Sequence, residues 1–341
     1  MRKLTYFLND TAKKSYPKII WELLYLFLKK RTLPTHYFAK YLYRKDRANI
    51  NDYLTTAQVK KISFSRFFNE PAMLPFFENK PVLGMFCEKN GLPYPKILAV
   101  NYKTRFNNFE GEVCIDSNEK LMDYLKWLMA KQHLSSLFIK EVDNYGGAGC
   151  YKVENNDRSL RQEGLNQMLN GNFFIQECIQ QHDDINTISP RCVNSIRFDT
   201  YVDQQQQGHI LTALMRFGVG DSVVDNASSG GFYVGIDMES GTLKKEGQQL
   251  FSYGARSYDT HPDTGVAFEG FKIPFFKEAT DLVHRLMKLL PDGFVGWDIA
   301  IASTGPVIIE GNTQPGILMS DVSYGGLLKH PKYQEILKRL P

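Results

Sequence analysis

Two apolar stretches near the C-terminus, GWDIAIA and PVIIEGN, carry side chains whose types and spacing suit a bound cation. Asp298 lies in the first stretch, and Glu310 and Asn312 lie in the second. Side chains alternate along a strand, so an antiparallel pairing that sets Asp298 opposite Glu310 brings all three to one face. Carboxylates are costly to bury without partners, and carboxylate and amide oxygens are ligands that Mg²⁺ prefers. The two stretches therefore predict a magnesium site.

The link between them, STG at residues 303–305, predicts a hairpin with a three-residue loop, because glycine suits the left-handed third position of such a loop. In this hairpin Ala302 pairs with Pro306, and Ala300 pairs with Ile308. The apolar side chains on the other face are expected to enter a core; they are Trp297, Ile299, Val307 and Ile309.

A second candidate site is the glycine-rich segment YGGAG, which follows a predicted strand containing Lys140. Gly146, Gly147 and Gly149 would let backbone amides approach a phosphate, and Lys140 can meet a phosphate as a point charge. The segment matches neither a Walker A loop nor a GxGxxG turn before a helix. A simple hairpin turn explains the glycines equally well, so both interpretations stay open at this point.

Strands and helices that could position these residues alternate after residue 79. Helical periodicity predicts helices at EKLMDYLKWLMAKQ, SLRQEGLNQMLNG and FKEATDLVHRLMKLL, and short apolar runs predict strands at SSLFIKEV and NFFIQECI. The segments VNSIRFDTYV and HILTALMRFGV flank a glutamine-rich loop and predict a second hairpin.

Composition limits the class of protein. A chain of 341 residues with 43% hydrophobic residues can bury roughly two cores. A net charge of +4 does not indicate nucleic acid as a partner. Five cysteines without a CxxC spacing predict reduced thiols in a cytoplasmic protein, and no signal peptide is visible.

The N-terminal part differs from the rest in its charge. Residues 1–61 contain fourteen Lys or Arg but only four Asp or Glu. The segment from Ile19 to Leu28 is apolar apart from Glu22, and the basic run KKR follows it at 29–31. Two interpretations follow: a cap helix covered by protein, including a second subunit of a homodimer, or a basic helix on an anionic membrane surface. We expect protein coverage as the main role and peripheral contact with the inner face of the membrane as a secondary one.

The combination of features resembles the ATP-grasp superfamily: a strand lysine, a glycine-rich loop, a strand ending in QECI, and the spacing D-x(11)-E-x-N. More narrowly, FIKEVDNYGGAG, FIQECIQQH, VNSIRFDTYV and GWDIAIASTGPVIIEGNTQPG resemble the sugar-transfer-associated ATP-grasp family. The resemblance implies an α+β ATP-grasp fold, in which the antiparallel sheets of two lobes grip ATP. We expect a basic helical N-terminal segment at 1–75, a small lobe at 76–175 and a large lobe at 176–341.

The resemblance also implies a role for each matching residue. Many relatives carry an arginine two residues before the first metal-binding aspartate, but that position is Gly296 here. The positive charge near the transferred phosphate must then come from Arg197 or Arg216. The other implied roles are metal binding for Asp298, Glu310 and Asn312, phosphate binding for Lys80, Lys140 and the glycines Gly146, Gly147 and Gly149, adenine binding for Gln176, Glu177 and Ile179, and ribose binding for Asp184.

The implied activity is an ATP-dependent carboxylate–amine ligase that forms an acyl phosphate with ATP and Mg²⁺, as two ions for which Mn²⁺ could substitute. Its partners would be a small or glycan-linked carboxylate, such as a sugar acid, and an amino acid or other amine, in the synthesis of surface polysaccharide. Two alternatives stay open: a kinase that phosphorylates a hydroxyl, and a non-catalytic ATP-binding partner of a glycosyltransferase.

Overall fold

The computed structural model describes residues 2–64, 67–142, 149–154 and 162–341. Within these ranges the chain forms two antiparallel sheets with flanking helices, after a helical N-terminal segment. The predicted α+β class is thereby confirmed.

The N-terminal segment is built from short helices. Pro17 lies in the first turn of the longest, where its missing N–H costs no hydrogen bond. The helices that precede the first strand are α1 (Arg2–Asn9), α2 (Tyr16–Lys30), α3 (His36–Ala39), α4 (Thr56–Phe64), α5 (Leu74–Glu78) and α6 (Lys80–Lys89).

A six-stranded sheet follows, with strand order β3-β2-β1-β6-β4-β5. Its buried face packs against α7, which presents Leu121, Leu125 and Leu128 at helical spacing. The sheet includes β6 through Glu177, two residues beyond the predicted end of the small lobe, and the lobe boundaries themselves stay a prediction. The elements are β1 (Ile97–Tyr102), β2 (Arg105–Asn108), β3 (Gly111–Cys114), α7 (Asn118–Lys131), β4 (Ser136–Glu141), β5 (Cys150–Glu154), α8 (Gln162–Asn170) and β6 (Asn172–Glu177).

A seven-stranded sheet with order β11-β10-β9-β8-β7-β12-β13 forms the second half. The predicted hairpin of VNSIRFDTYV and HILTALMRFGV is its β7–β8 pair. The elements are α9 (Asp183–Ile188), β7 (Ser195–Val202), β8 (Gly208–Phe217), β9 (Phe232–Asp237), β10 (Thr242–Gln249), β11 (Ser257–Tyr258), α10 (Phe276–Leu289), β12 (Phe294–Ala302), β13 (Gly305–Asn312), α11 (Leu318–Ser323) and α12 (Pro331–Arg339).

The two faces of the seven-stranded sheet have different neighbours. One face packs Phe198, Met215 and Trp297 into the core under α10. Because side chains alternate along each strand, the adjacent positions Arg197 and Arg216 project from the opposite face. That second face is therefore the one on which polar chemistry can occur.

The N-terminal segment covers part of the same second face. Tyr37 and Tyr41 are fully buried in a cluster with Leu214 and Tyr233 of the sheet. The hydroxyl of Tyr41 donates to the backbone oxygen of Gln249. The segment thus packs on the sheet that carries the polar residues.

A buried histidine in this segment leads to a prediction about pH. His36 is buried, and neither ring nitrogen has a hydrogen-bond partner among the described residues. Burial, helped by the positive charges of Lys40 and Lys30, lowers the pKa of His36 from its ordinary 6.5 to about 4. Between these two values the unfolded chain binds a proton that the folded chain does not. Stability is therefore present above pH 6.5 and is lost as the pH falls towards 4, by on the order of 3 kcal/mol.

Denaturant unfolding from pH 7 to pH 4.5 would measure this loss. We expect His36→Phe to flatten the pH dependence, and His284→Gln, an exposed histidine on α10, to leave it unchanged. If the free energy of unfolding of His36→Phe depends on pH as strongly as that of the wild type, other groups cause the loss of stability.

Candidate active site

The β12–β13 hairpin sets Asp298 opposite Glu310, but its register near the turn differs from the prediction. Ala302 pairs with Gly305 and Ala300 with Val307, so the loop has two residues and the predicted three-residue loop is wrong. Two-residue loops match the twist of the flanking strands best. A β-bulge between Asp298 and Ile299 in the register absorbs the extra residue, and such bulges often re-aim side chains beside a site.

The bulge changes which isoleucine enters the core. Ile308 is buried in the core under α10, whereas Ile309 lines a cavity, so the predicted core position of Ile309 is wrong. Val307 is only partly buried, also against expectation. Trp297 and Ile299 occupy the core as predicted.

A cavity of about 830 Å³ brings most of the predicted site residues together. The six-stranded sheet and α6 contribute lysines, and the seven-stranded sheet contributes arginines, carboxylates and an amide. The predicted residues that line the cavity are Lys80, Lys140, Gln176, Ile179, Arg197, Arg216, Asp298, Glu310 and Asn312.

Other predicted residues lie apart from the cavity. Glu177 accepts a hydrogen bond from the backbone N–H of Lys96 at 2.9 Å, and Asp184 is exposed on α9, where its neighbour Asp183 lines the cavity instead. Gly149 has φ +68°, a left-handed conformation that favours glycine, next to β5. Gly146 and Gly147 lie outside the described residues.

Two arginines hold Asp298, one from the adjacent strand β7 and one from β8, which lies one strand further away. Arg197 Nη2 donates to Asp298 Oδ2 at 3.0 Å, and Arg216 Nη2 donates to the same oxygen at 2.8 Å. Burial alone would raise the pKa of Asp298, but the two guanidinium groups outweigh it and hold the pKa well below the usual range. Asp298 is therefore a permanent anion at neutral pH.

Gly296 explains how Arg197 reaches this position. A Cβ atom at Gly296 would lie 3.1 Å from Cδ and 3.3 Å from Nε of Arg197, and 2.7 Å from Cβ of Pro315. The side chain of Arg197 thus passes over the glycine. The absence of a side chain at Gly296 therefore leaves room for the arginine side chain from the adjacent strand β7.

Gly296→Ala is expected to lower the free energy of unfolding by about 1–3 kcal/mol, because the added methyl group would overpack against Pro315 and Arg197. Gly316→Ala is the matched control, because its Cβ would meet no atom within 4 Å. Thermal or denaturant unfolding of the two variants tests this; equal stabilities would show that Arg197 moves aside without cost.

The opposite wall of the cavity carries two buried lysines. Lys140 lies on β4 and Lys80 at the start of α6. Burial lowers the pKa of Lys140, while Cys150 and Glu310 act in the opposite direction. Glu310 is close enough for its charge to act on Lys140, so the lysines and the carboxylate hairpin face one another across the cavity.

The oxygen atoms of the hairpin suit a hard cation that also binds other ligands. Asn312 donates through its amide nitrogen to Glu310 Oε1 at 3.2 Å, which leaves the amide oxygen to face a cation. No cluster of three or more His, Cys, Asp or Glu side chains able to hold a metal occurs in the described part of the chain. A cation here would take few protein ligands, in keeping with Mg²⁺, which keeps waters and binds substrate phosphates. The metal assignment itself stays a prediction.

The sequence reasoning missed a network next to Arg216. Ser195 Oγ accepts from Arg216 Nη2 at 2.6 Å, and the backbone N–H of Ser195 donates to Asp225 at 2.7 Å. Asp225 lines the cavity. Ser195 could have been found, because it lies two residues before Arg197 on the same face of β7. Asp225 lies in a loop, where no periodicity marks it.

The chain is similar in structure to D-alanyl-alanine synthetase A from Vibrio cholerae O1 biovar eltor str. N16961, with 12% identity, a TM-score of 0.46, and coverage of 79% of this chain and 66% of that chain. It is also similar to the ATP-grasp ligase PsnB complexed with minimal precursor, with 16% identity, a TM-score of 0.38, and coverage of 76% and 64%. The chain thus spans less than two thirds of the length of either protein.

No curated protein sequence matches the chain. A model of one family, described as sugar-transfer associated ATP-grasp, matches residues 59–336, which is most of the chain. This protein therefore belongs to the sugar-transfer associated ATP-grasp family.

Proposed function

We propose that this protein is an ATP-dependent ligase that joins a carboxylate to an amine through an acyl phosphate. The observation that carries the proposal is the composition of the cavity walls. Buried Lys80 and Lys140 face a hairpin with two carboxylates and an amide, and two buried arginines lie beside it. Such an arrangement suits the transfer of a phosphoryl group between two anions, which depends on positioning and charge screening.

Each wall would have its own task in that transfer. Lys80 and Lys140 would bind the phosphates of ATP as point charges. Asp298, Glu310 and Asn312 would hold Mg²⁺, as two ions with Mn²⁺ as a substitute, and the bound metal would supply neutralisation of phosphate charge. Gln176 and Ile179, which line the cavity next to β6, would contact the adenine.

The arginines beside Asp298 suit a carboxylate as the acceptor. Arg197 and Arg216 both bind Asp298 at the wall of the cavity, and their positive charges would also attract an anionic acceptor. A carboxylate attacks the γ-phosphorus of ATP without losing a proton, and ADP leaves. A neutral amine then attacks the acyl carbon, phosphate leaves and takes up the proton that the nitrogen releases, and a C–N bond remains.

In this scheme Arg197 and Arg216 would bind the carboxylate substrate that accepts the phosphoryl group. Arg216 is held by Ser195, and its side chain is directed at the cavity. A planar guanidinium group matches a carboxylate or an acyl phosphate geometrically. The description of the family as sugar-transfer associated supports a sugar-linked substrate. We therefore propose a sugar acid as the carboxylate, with an amino acid or other amine as the second substrate and a cytoplasmic role in the synthesis of surface polysaccharide.

Product analysis tests the proposal. Uronic acids would be combined with amino acids in the presence of ATP and Mg²⁺, and both ADP and free phosphate would be measured. We expect a pair of substrates that releases both in equal amounts, and Lys140→Ala to lose this release. ADP without free phosphate, with phosphate retained on the acceptor, would instead identify a kinase.

A further inference from the structure

Helix α2 buries its acidic residue and exposes most of its apolar residues, which is the reverse of a normal surface helix. Its only acidic residue, Glu22, is buried and accepts two hydrogen bonds from Lys14 Nζ, each at 2.9 Å. The hydroxyl of Tyr37 donates to the same carboxylate at 2.5 Å. The helix therefore directs its polar residue inward, towards the N-terminal segment, where Ile19 and Leu26 share the buried side.

The side directed away from the protein is apolar. We call it the outer face of α2, and it consists of Ile20, Trp21, Leu24, Phe27 and Leu28, which are 45–74% exposed. Their spacing of three and four residues makes one continuous stripe opposite Glu22. Leu4 and Leu8 of α1, and Leu33 after α2, are exposed as well. Contiguous apolar surface of this kind marks an interaction site.

The exposed charges on α2 and at its end are all of one sign. Lys18, Lys29 and Arg31 are exposed on α2 or at its end, and the single acid of the helix is neutralised inside. Trp21 stacks on Tyr25 with ring centroids 5.3 Å apart, and such aromatic residues suit the level of lipid head groups. The helix thus combines apolar side chains with positive charge only.

We propose that the outer face of α2 rests on the surface of an anionic membrane, with the helix parallel to the bilayer. Apolar side chains would enter the boundary between head groups and acyl chains, and the basic residues would meet lipid phosphates. Helix α2 has 15 residues, and no helix among the described residues is both long and apolar enough to cross a bilayer. The contact is therefore peripheral and reversible, and it does not depend on the ligase activity.

A second copy of the chain fits this surface less well. A symmetric contact would pair α2 with itself. Because the helix exposes lysine and arginine but no acid, each charge at such an interface would meet another positive charge. An anionic lipid surface has the complementary sign.

Vesicle co-sedimentation of the full-length protein tests the proposal, with phosphatidylcholine vesicles and with vesicles that also contain phosphatidylglycerol. We expect binding to the anionic vesicles that weakens with salt. Leu24→Asp/Leu28→Asp should reduce it at least a hundredfold. Lys29→Gln/Arg31→Gly should reduce it about 25-fold, at roughly fivefold per charge; glycine suits position 31, where φ is +51°.

Matched controls lie on other helices. Leu289→Asp makes the same type of substitution once, at an exposed apolar residue of α10, and Lys126→Gln/Lys288→Gln removes two exposed lysines. Both should bind vesicles as the wild type does, and thermal unfolding of all variants should be alike. Absence of wild-type binding at low salt would overturn the proposal. So would a dimer that forms in solution without vesicle binding and that Leu24→Asp/Leu28→Asp dissociates.

Discussion

Glu310→Gln is expected to lower ATP-dependent phosphate release about a thousandfold while adenosine binding stays nearly unchanged. The amide has the shape of the carboxylate but lacks its charge, so it binds a divalent cation poorly and leaves the charge of Lys140 across the cavity less compensated. The adenine contacts that we propose for Gln176 and Ile179 involve other elements and should persist. Turnover and isothermal titration with adenosine, ADP and Mg²⁺ would measure the two effects separately.

A matched control is available in the same cavity. Asp183→Asn makes the same change of carboxylate to amide at an exposed residue that lines the cavity on α9. We expect it to retain turnover within a few-fold. If Glu310→Gln releases phosphate at the wild-type rate, Glu310 does not bind the metal, and the hairpin does not have the proposed role.

The hairpin shows how local pattern can predict the pairing of two carboxylates despite an error in the loop. The pairing of Asp298 with Glu310 was predicted, although the loop length was not. A two-residue loop shifts the register by one position, and the bulge shifts it back before the carboxylates are reached. Alternation over the rest of each strand is unaffected, which is why Trp297 and Ile299 were placed correctly. A bulge has no signal of its own here, so the position of Ile309 could not be predicted.

The N-terminal segment shows where sequence reasoning ends. Its composition indicated a helix that is apolar on all sides, and two interpretations followed. What decides which side is buried is contact with residues outside α2: Lys14 binds Glu22, and the hydroxyl of Tyr37 donates to the same carboxylate. Periodicity within α2 contains no information about these partners. The inward position of Glu22 became evident only with the tertiary structure.

Lys40→Ala is expected to lower the free energy of unfolding by about 3–5 kcal/mol, because it leaves a buried carboxylate without its cation. The side chains of Lys40 and Asp321 are 1% and 0% exposed. Lys40 also donates to the backbone oxygen of Leu54, and Asp321 accepts from the backbone N–H groups of Leu54 at 3.1 Å and Leu327 at 2.6 Å. The pair thus joins the N-terminal segment to α11 and the turn after it.

Lys277→Ala provides the contrast, since Lys277 and Asp281 form an ion pair at 2.7 Å on the exposed surface of α10. Its removal should cost less than about 0.5 kcal/mol. Urea unfolding of both variants would compare them. A loss below 1 kcal/mol for Lys40→Ala would mean that water reaches Asp321 or that the segment repacks around it.

Lys40→Met separates the lost charge from the lost volume. Methionine fills most of the space of the lysine stem, so the remaining deficit comes from the unpaired carboxylate.

Burial already raises the pKa of Asp321, and Lys40 opposes that rise. Without Lys40 the folded pKa should rise further above its unfolded value, so the folded variant takes up a proton that the unfolded chain does not. Stability is then retained below the unfolded pKa and lost as the pH rises through the folded one. Because Lys40 also lowers the pKa of His36, the comparison is made in the His36→Phe background. There the deficit caused by Lys40→Met should shrink as the pH is lowered from 7 towards 4, whereas a deficit caused by packing alone would not change with pH.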